Sequence, residues 1–188
     1  MNKKKILFVL PAALLPYFAL FSVCLILFSV RLPAFGVIME SIFRNNILYL
    51  LAALVLFGML TAGLSVACFI LSIRKGWDAT SLAKSAMIIK LFQLPAYVLI
   101  FILGVLLAIT LFTIPFSIAL FLFDCLTLSL TGLLTSAAAI NASRQGLCKT
   151  KEVVCIILLQ LVFCVDVVAS IVFYSVLKNR CKNETENI

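Results

Sequence analysis

The sequence predicts an all-α fold: a polytopic transmembrane helical bundle of about five spans forming a single membrane domain over residues 1–188. Composition is the first reason. Of 188 residues, 65% are apolar and 12% charged, whereas a soluble domain is roughly half apolar and a quarter charged. The mean hydropathy of +1.27 agrees, and a water-soluble chain of this length has no means of hiding so much apolar surface. The second reason is pattern. Apolar runs of bilayer-crossing length alternate with short basic clusters: Lys3 to Lys5, Arg74–Lys75, Lys149 with Lys151, and Lys178, Arg180 and Lys182. Such clusters mark the loops and tails that flank spans.

The first run, Ile6 to Val30, follows three lysines but is too long for a signal-peptide core and is followed by no small-residue cleavage site. It reads as an uncleaved span over about 6–30. Between it and the second span, Phe35, Ile38, Met39 and Ile42 recur at helical spacing, with Glu40 and Arg44 off that stripe at pairing distance. A short interfacial helix and an irregular apolar loop both fit this segment. The second span, about 47–73, ends at Arg74-Lys75-Gly76-Trp77. Gly76 suits a helix C-terminus, Trp77 a membrane interface, and Asp78 or Thr80 the cap of the next helix.

From Ala86 to Ile140 the chain is almost continuously apolar. A helix of that length would be far longer than one crossing of a hydrocarbon core about 30 Å thick. It must fold back, and the corner falls at Thr110 to Pro115, giving spans of about 86–109 and 116–140. Asn141 to Glu152 reads as a polar loop, about 153–177 as the fifth span, and 178–188 as a short polar tail.

Basic residues orient the bundle. With the N-terminus cytoplasmic, five crossings leave ten Lys and Arg inside and five outside. The three basic residues of the tail sit on the wrong side in this arrangement. Either the tail tolerates that, or one run does not cross. The expected localisation is the cell membrane, multi-pass.

Function classes are narrowed chiefly by what is missing. There is no histidine, which removes His-ligated metal sites and His-based catalysis. The seven cysteines are scattered and form no Cys-x-x-Cys pair. No metal site, cofactor or enzymatic activity is expected. The net charge of +8 flanks spans rather than forming a basic face with interleaved aromatics, so nucleic acid is not an expected partner. The expected partners are the lipid bilayer and another membrane protein or a second copy of the chain.

Two acids interrupt the apolar runs, Asp124 and Asp166. An ionised Asp at a helix centre costs about 2.5–3.5 kcal/mol on insertion, so both should face the interior. Ser117, Asp124, Thr127, Thr131 and Thr135 form one helical stripe, and Asp166 shares a face with Ser170 and Tyr174. Counting rise per residue places Asp166, Thr127, Tyr17 and Tyr97 near the midplane. Gln93 and Gln160 lie at matching depth nearer the inside, where they would bond to each other. Lys90 lies further in still, free to snorkel and too distant to pair with Asp166. The layer is either polar glue between helices or an ion or proton site. Pro16 and Pro95 each free a backbone carbonyl beside it. Gly63 with Ala67, Gly104 with Ala108, and Gly132 with Ser136 permit close helix approach, most simply within one chain.

The lysine-rich start, the Leu-Pro-Tyr span, the stretch Ser81 to Lys90 (SLAKSAMIIK) and the later Phe163 to Val168 (FCVDVV) resemble a small uncharacterised family of bacterial multi-span inner-membrane proteins. The resemblance covers most of the chain. It implies a bacterial inner membrane and carries no activity. Three functions are carried forward: a non-enzymatic accessory or interaction protein acting through helix contacts, a small transporter or channel subunit using the intramembrane Asp residues, and, last in order because histidine and any paired catalytic motif are missing, an intramembrane enzyme.

Overall fold

The computed structural model describes residues 3–29, 31–109, 114–162 and 165–186. They form seven helices in chain order: α1 (Lys3–Phe28), α2 (Pro33–Phe43), α3 (Ile47–Arg74), α4 (Ala79–Ala108), α5 (Ile114–Arg144), α6 (Thr150–Leu159) and α7 (Val165–Glu186). The all-α bundle is as expected. Four helices are long and apolar enough to cross a membrane, namely Leu10–Phe28 of α1, α3, α4 and α5.

Local chemistry sets most boundaries. Asn46 caps α3 by accepting from the Leu48 N–H at 2.9 Å, and Asp78 caps α4 by accepting from the Ser81 N–H at 2.7 Å. Gly76 lies at φ 55°, the left-handed conformation that lets the chain leave α3 and turn into α4. The expected corner between α4 and α5 falls largely on residues 110–113, outside the described residues. Pro115 sits in the first turn of α5, where its missing N–H costs nothing.

The stretch from Pro33 to Phe43 is a helix. Its inner face differs slightly from the expected stripe. Met39 and Phe43 pack with Leu25 and Leu50, supported by Phe35 and Ile38, while Ile42 faces outward. Arg44 ends α2 at φ 51°, so it leaves the helix and forms no pair with Glu40. Gly36 is needed here, since a Cβ would come within 3.0 Å of the Ser29 carbonyl oxygen.

Two expectations are corrected. First, Asn141 is not in a loop: α5 continues to Arg144, and the Asn141 amide is buried, donating to the carbonyls of Ser72 and Trp77 at 3.0 Å each. Together with Arg144, which donates to the Ile73 carbonyl at 2.8 Å, it ties the end of α5 to the α3–α4 turn. A polar side chain that satisfies exposed turn carbonyls reads in sequence like a loop residue.

Second, residues 153–177 are not one helix. The run divides into α6 and α7, and these fold back on each other as a hairpin. Arg180, late in α7, makes a two-pronged pair with Glu152, early in α6, at 2.8 and 2.9 Å. It also donates to the Leu147 carbonyl at 2.6 Å. The end of α7 therefore returns to the start of α6, at the same end of the bundle as the N-terminus of α4, where Thr80 meets Cys181 at 3.3 Å. Helix α6 reaches only about 15 Å into the bundle.

The main core lies at this end. Ala79, Leu82, Ala83 and Ala86 of α4, Leu134, Ala138 and Ala142 of α5, and Phe173 and Leu177 of α7 are packed together. Small residues on α4 and α5 bring those two helices close and leave room for the hairpin.

Arg180 and the Lys149 N–H hold the Glu152 carboxyl at about 2, down from 4.5. The folded value lies below the unfolded one, so this clamp contributes fully above pH 4.5 and is lost as pH falls towards about 2. Amide exchange over 174–183, corrected for intrinsic rates, should be alike at pH 5 and pH 7 in the wild type. It should be faster in Glu152→Gln at both. Equal protection in the variant would show that the clamp does not hold the hairpin base.

Candidate functional site

The interior of the bundle is where its polar chemistry lies. On α4, Lys90, Gln93 and Tyr97 occupy one face at helical spacing, and all three are buried.

Lys90 is the centre. Its ammonium donates to Asp166 Oδ2 at 2.7 Å and also to Gln160 Oε1. The Lys90 and Asp166 side chains are each only 1% exposed. The expectation that Lys90 snorkels and lies too far from Asp166 to pair is overturned. That estimate placed Asp166 along a continuous fifth helix. On a straight helix Gln160 and Asp166 would stand about 9 Å apart in rise and about 120° apart around the axis, so one ammonium could not serve both. The break between α6 and α7 folds them together. Gln160 ends one half-helix and Asp166 lies in the first turn of the other.

The break carries no proline or glycine, and the last turn of α6 tightens: Gln160 donates to Ile157 and Leu161 to Leu158, at 3.2 and 3.1 Å. Ser170 closes the tip from α7, donating to the Asp166 carbonyl at 2.8 Å and to Gln160 Oε1 at 3.4 Å. Gly132 of α5 makes space for it. A Cβ there would meet Gln160 Cβ at 3.3 Å. Among the described residues two buried atoms at the tip have no hydrogen-bond partner, the acceptor Asp166 Oδ1 and the donor Gln160 Nε2.

Gln93 does not pair with Gln160. Its amide donates to the Ala12 carbonyl of α1 at 2.6 Å, and its Oε1 accepts from Tyr97 at 3.1 Å. The reason lies in Pro16. A proline lacks the N–H that would bond the carbonyl four residues earlier, and that carbonyl is Ala12. Gln93 fills the vacancy. Tyr17 donates to the Phe92 carbonyl at 2.5 Å, next to the Leu91 carbonyl that Pro95 frees. The carbonyl that Pro16 frees is thus taken by a side chain from the facing helix, whereas Tyr17 bonds the neighbour of the one that Pro95 frees.

The expected single layer separates into parts. Tyr17, Gln93 and Tyr97 join α1 to α4; Lys90, Gln160, Asp166 and Ser170 join α4 to the hairpin. Thr127 and Thr131 are buried and bond carbonyls of their own helix, at Phe123 and at Thr127 and Leu128, and Thr131 also meets the Tyr97 hydroxyl of α4. Asp124 is 6% exposed, and among the described residues it forms no ion pair and its Oδ1 has no hydrogen-bond partner. The key residue that sequence reasoning set aside is Lys90. Its i, i+3, i+7 relation to Gln93 and Tyr97 was the available signal.

Among the described residues no group of three or more Cys, Asp or Glu side chains is placed to hold a metal ion.

Chemically, the Lys90–Asp166 pair is neutral as a unit. Removing one partner strands the other charge at a cost of about 3–5 kcal/mol, whereas replacing both by apolar side chains is close to neutral. In detergent, Lys90→Met and Asp166→Leu should each lower unfolding stability by about that amount, and the double variant should recover most of the loss. Additive losses would show that the pair is not coupled.

No curated protein and no solved structure matches the chain. A family model does, across residues 7–180. The chain therefore belongs to DUF6652, a family of unknown function.

Proposed function

We propose that the chain is a multi-pass protein of the cell membrane, with four crossings and a re-entrant α6–α7 hairpin, and both termini cytoplasmic. The arrangement of polarity supports this. Leu56, Met59 and Phe121 are each 67–68% exposed, while Lys90 and Gln93 are fully enclosed, the order suited to a hydrocarbon surrounding. Charge supports the orientation. Of the 15 basic residues, twelve gather at the end holding the termini, Arg31 and Arg44 lie at the other, and Lys90 lies between. With a re-entrant hairpin the basic tail joins the cytoplasmic cluster and no longer opposes it. A C-terminal green-fluorescent fusion should fluoresce and a C-terminal alkaline phosphatase fusion should be inactive. The reverse pattern would mean that the last run crosses.

Within that frame, the reading best supported is a small ion- or proton-coupled transporter or channel subunit that works without covalent chemistry. The observation that carries it is Lys90 bridging two half-helices at mid-depth. Ion sites of membrane transporters are commonly built where a helix is interrupted and its ends converge. Lys90 holds the hairpin tip through Asp166 and Gln160 together. A small cation taking the Asp166 oxygens competes with the ammonium and weakens that hold, which lets the tip move. Binding and movement are then one event.

A second reading, an accessory protein acting through helix contacts, has one observation in its favour. Gly63 on α3 is exposed and has nothing within 4 Å of an added Cβ, so its smallness serves no contact within the chain. One experiment separates the two. In proteoliposomes, the wild type should dissipate an imposed proton or sodium gradient faster than protein-free vesicles, and Asp166→Asn, compared at equal amounts of folded protein, should slow this by about tenfold. Rates equal to empty vesicles in both would leave the helix-contact reading standing.

A further inference from the structure

Asp124 is not explained by the Lys90–Asp166 cluster. It lies on α5, 6% exposed, with an unpartnered Oδ1, and it lines a cavity of about 200 Å³ between α4 and α5. The rest of the lining is almost wholly apolar and includes Ile100, Phe101, Gly104, Ser117 and Phe121. Phe101 and Phe121 are 60% and 68% exposed, so the cavity communicates with the outside of the bundle. An isolated buried carboxylate is costly without a counter-charge. Lys90 is committed to Asp166, and no ion pair among the described residues reaches Asp124.

The lining decides which cation fits. A hard metal cation takes about six oxygen ligands. Here the lining beside Asp124 offers little more than Ser117 Oγ, which points its hydrogen to the Gly104 carbonyl at 2.8 Å, far short of that number of oxygens. Organic ammonium groups need less. They are satisfied by one carboxylate and by aromatic faces, which attract a cation through the ring quadrupole. Gly104 keeps the space open: a Cβ there would have only Ser117 Oγ within 4 Å, at 3.8 Å.

We propose that the α4–α5 cavity binds a small lipophilic organic ammonium ion, its charged nitrogen at Asp124 and its apolar body against Phe101, Phe121 and Ile100. The site is separate from the hairpin tip, so it does not depend on ion coupling at Asp166. A ligand of this class would enter sideways from the surrounding apolar phase.

The test is equilibrium dialysis of protein in lipid nanodiscs against benzyltrimethylammonium, with its neutral carbon isostere neopentylbenzene as control and empty nanodiscs as blank. The wild type should bind the cation saturably. Asp124→Asn should weaken that by at least about tenfold and leave the isostere unchanged. Gly104→Leu keeps the carboxylate but fills the cavity, and should abolish binding of both while the protein still unfolds cooperatively on heating. No saturable cation binding above empty discs, equal binding by wild type and Asp124→Asn, or full binding by Gly104→Leu would each overturn the proposal. The first outcome would mean a carboxyl that is simply protonated; the last, binding elsewhere on the bundle.

Discussion

The buried Lys90–Asp166 pair is the constraint on which the rest of the structure depends. An ammonium with no exposure to solvent must be compensated within hydrogen-bond reach. Asp166 meets it at 2.7 Å, and Gln160 adds a second acceptor. Those two residues belong to one apolar run that, as a straight helix, could present only one of them to α4. Interruption of the run is therefore tied to neutralisation of Lys90. The backbone bonds given up between α6 and α7 are part of what that costs.

The same logic recurs at smaller scale. At two interruptions of the backbone ladder a side chain from another helix completes it. Gln93 takes the carbonyl that Pro16 frees, and Asn141 takes two carbonyls of the α3–α4 turn. The hydrocarbon surrounding proposed above has no water to do this instead. Polar residues thus serve two ends at once: they satisfy the irregular backbone and they fix which helices lie together. Asp124 belongs to neither scheme, which is why its cavity stands out.

In the topology proposed above, the hairpin also fits the charge distribution. A fifth crossing would strand Lys178, Arg180 and Lys182 opposite the remaining basic clusters. Folding α7 back beside α6 brings them to the same end, and Arg180 is used there to lock Glu152. The neutral pair at the tip and the exposed pair at the base hold the hairpin at both ends. The base clamp is ordinary surface electrostatics. The tip lies where any change of charge has structural consequences.

Much of this was legible in the sequence, and the division has a physical reason. Helix content, the apolar runs of α1, α3, α4 and α5, the cap at Asp78, and the inward-facing stripe from Asp124 to Thr135 depend on composition, periodicity and neighbours a few residues away. The unease over an odd number of crossings was also visible, in the basic tail alone. What the sequence could not decide was how the last run folds. The stretch from Gln160 to Asp166 contains neither proline nor glycine and reads as continuous helix, because its break is set by an ammonium on α4, 70 residues earlier in the chain. The pairing of Lys90 with Asp166, the match of Gln93 to Ala12 and the isolation of Asp124 are likewise products of packing. Local propensity determines where helices form. Only the tertiary structure determines which buried charge each of them must answer.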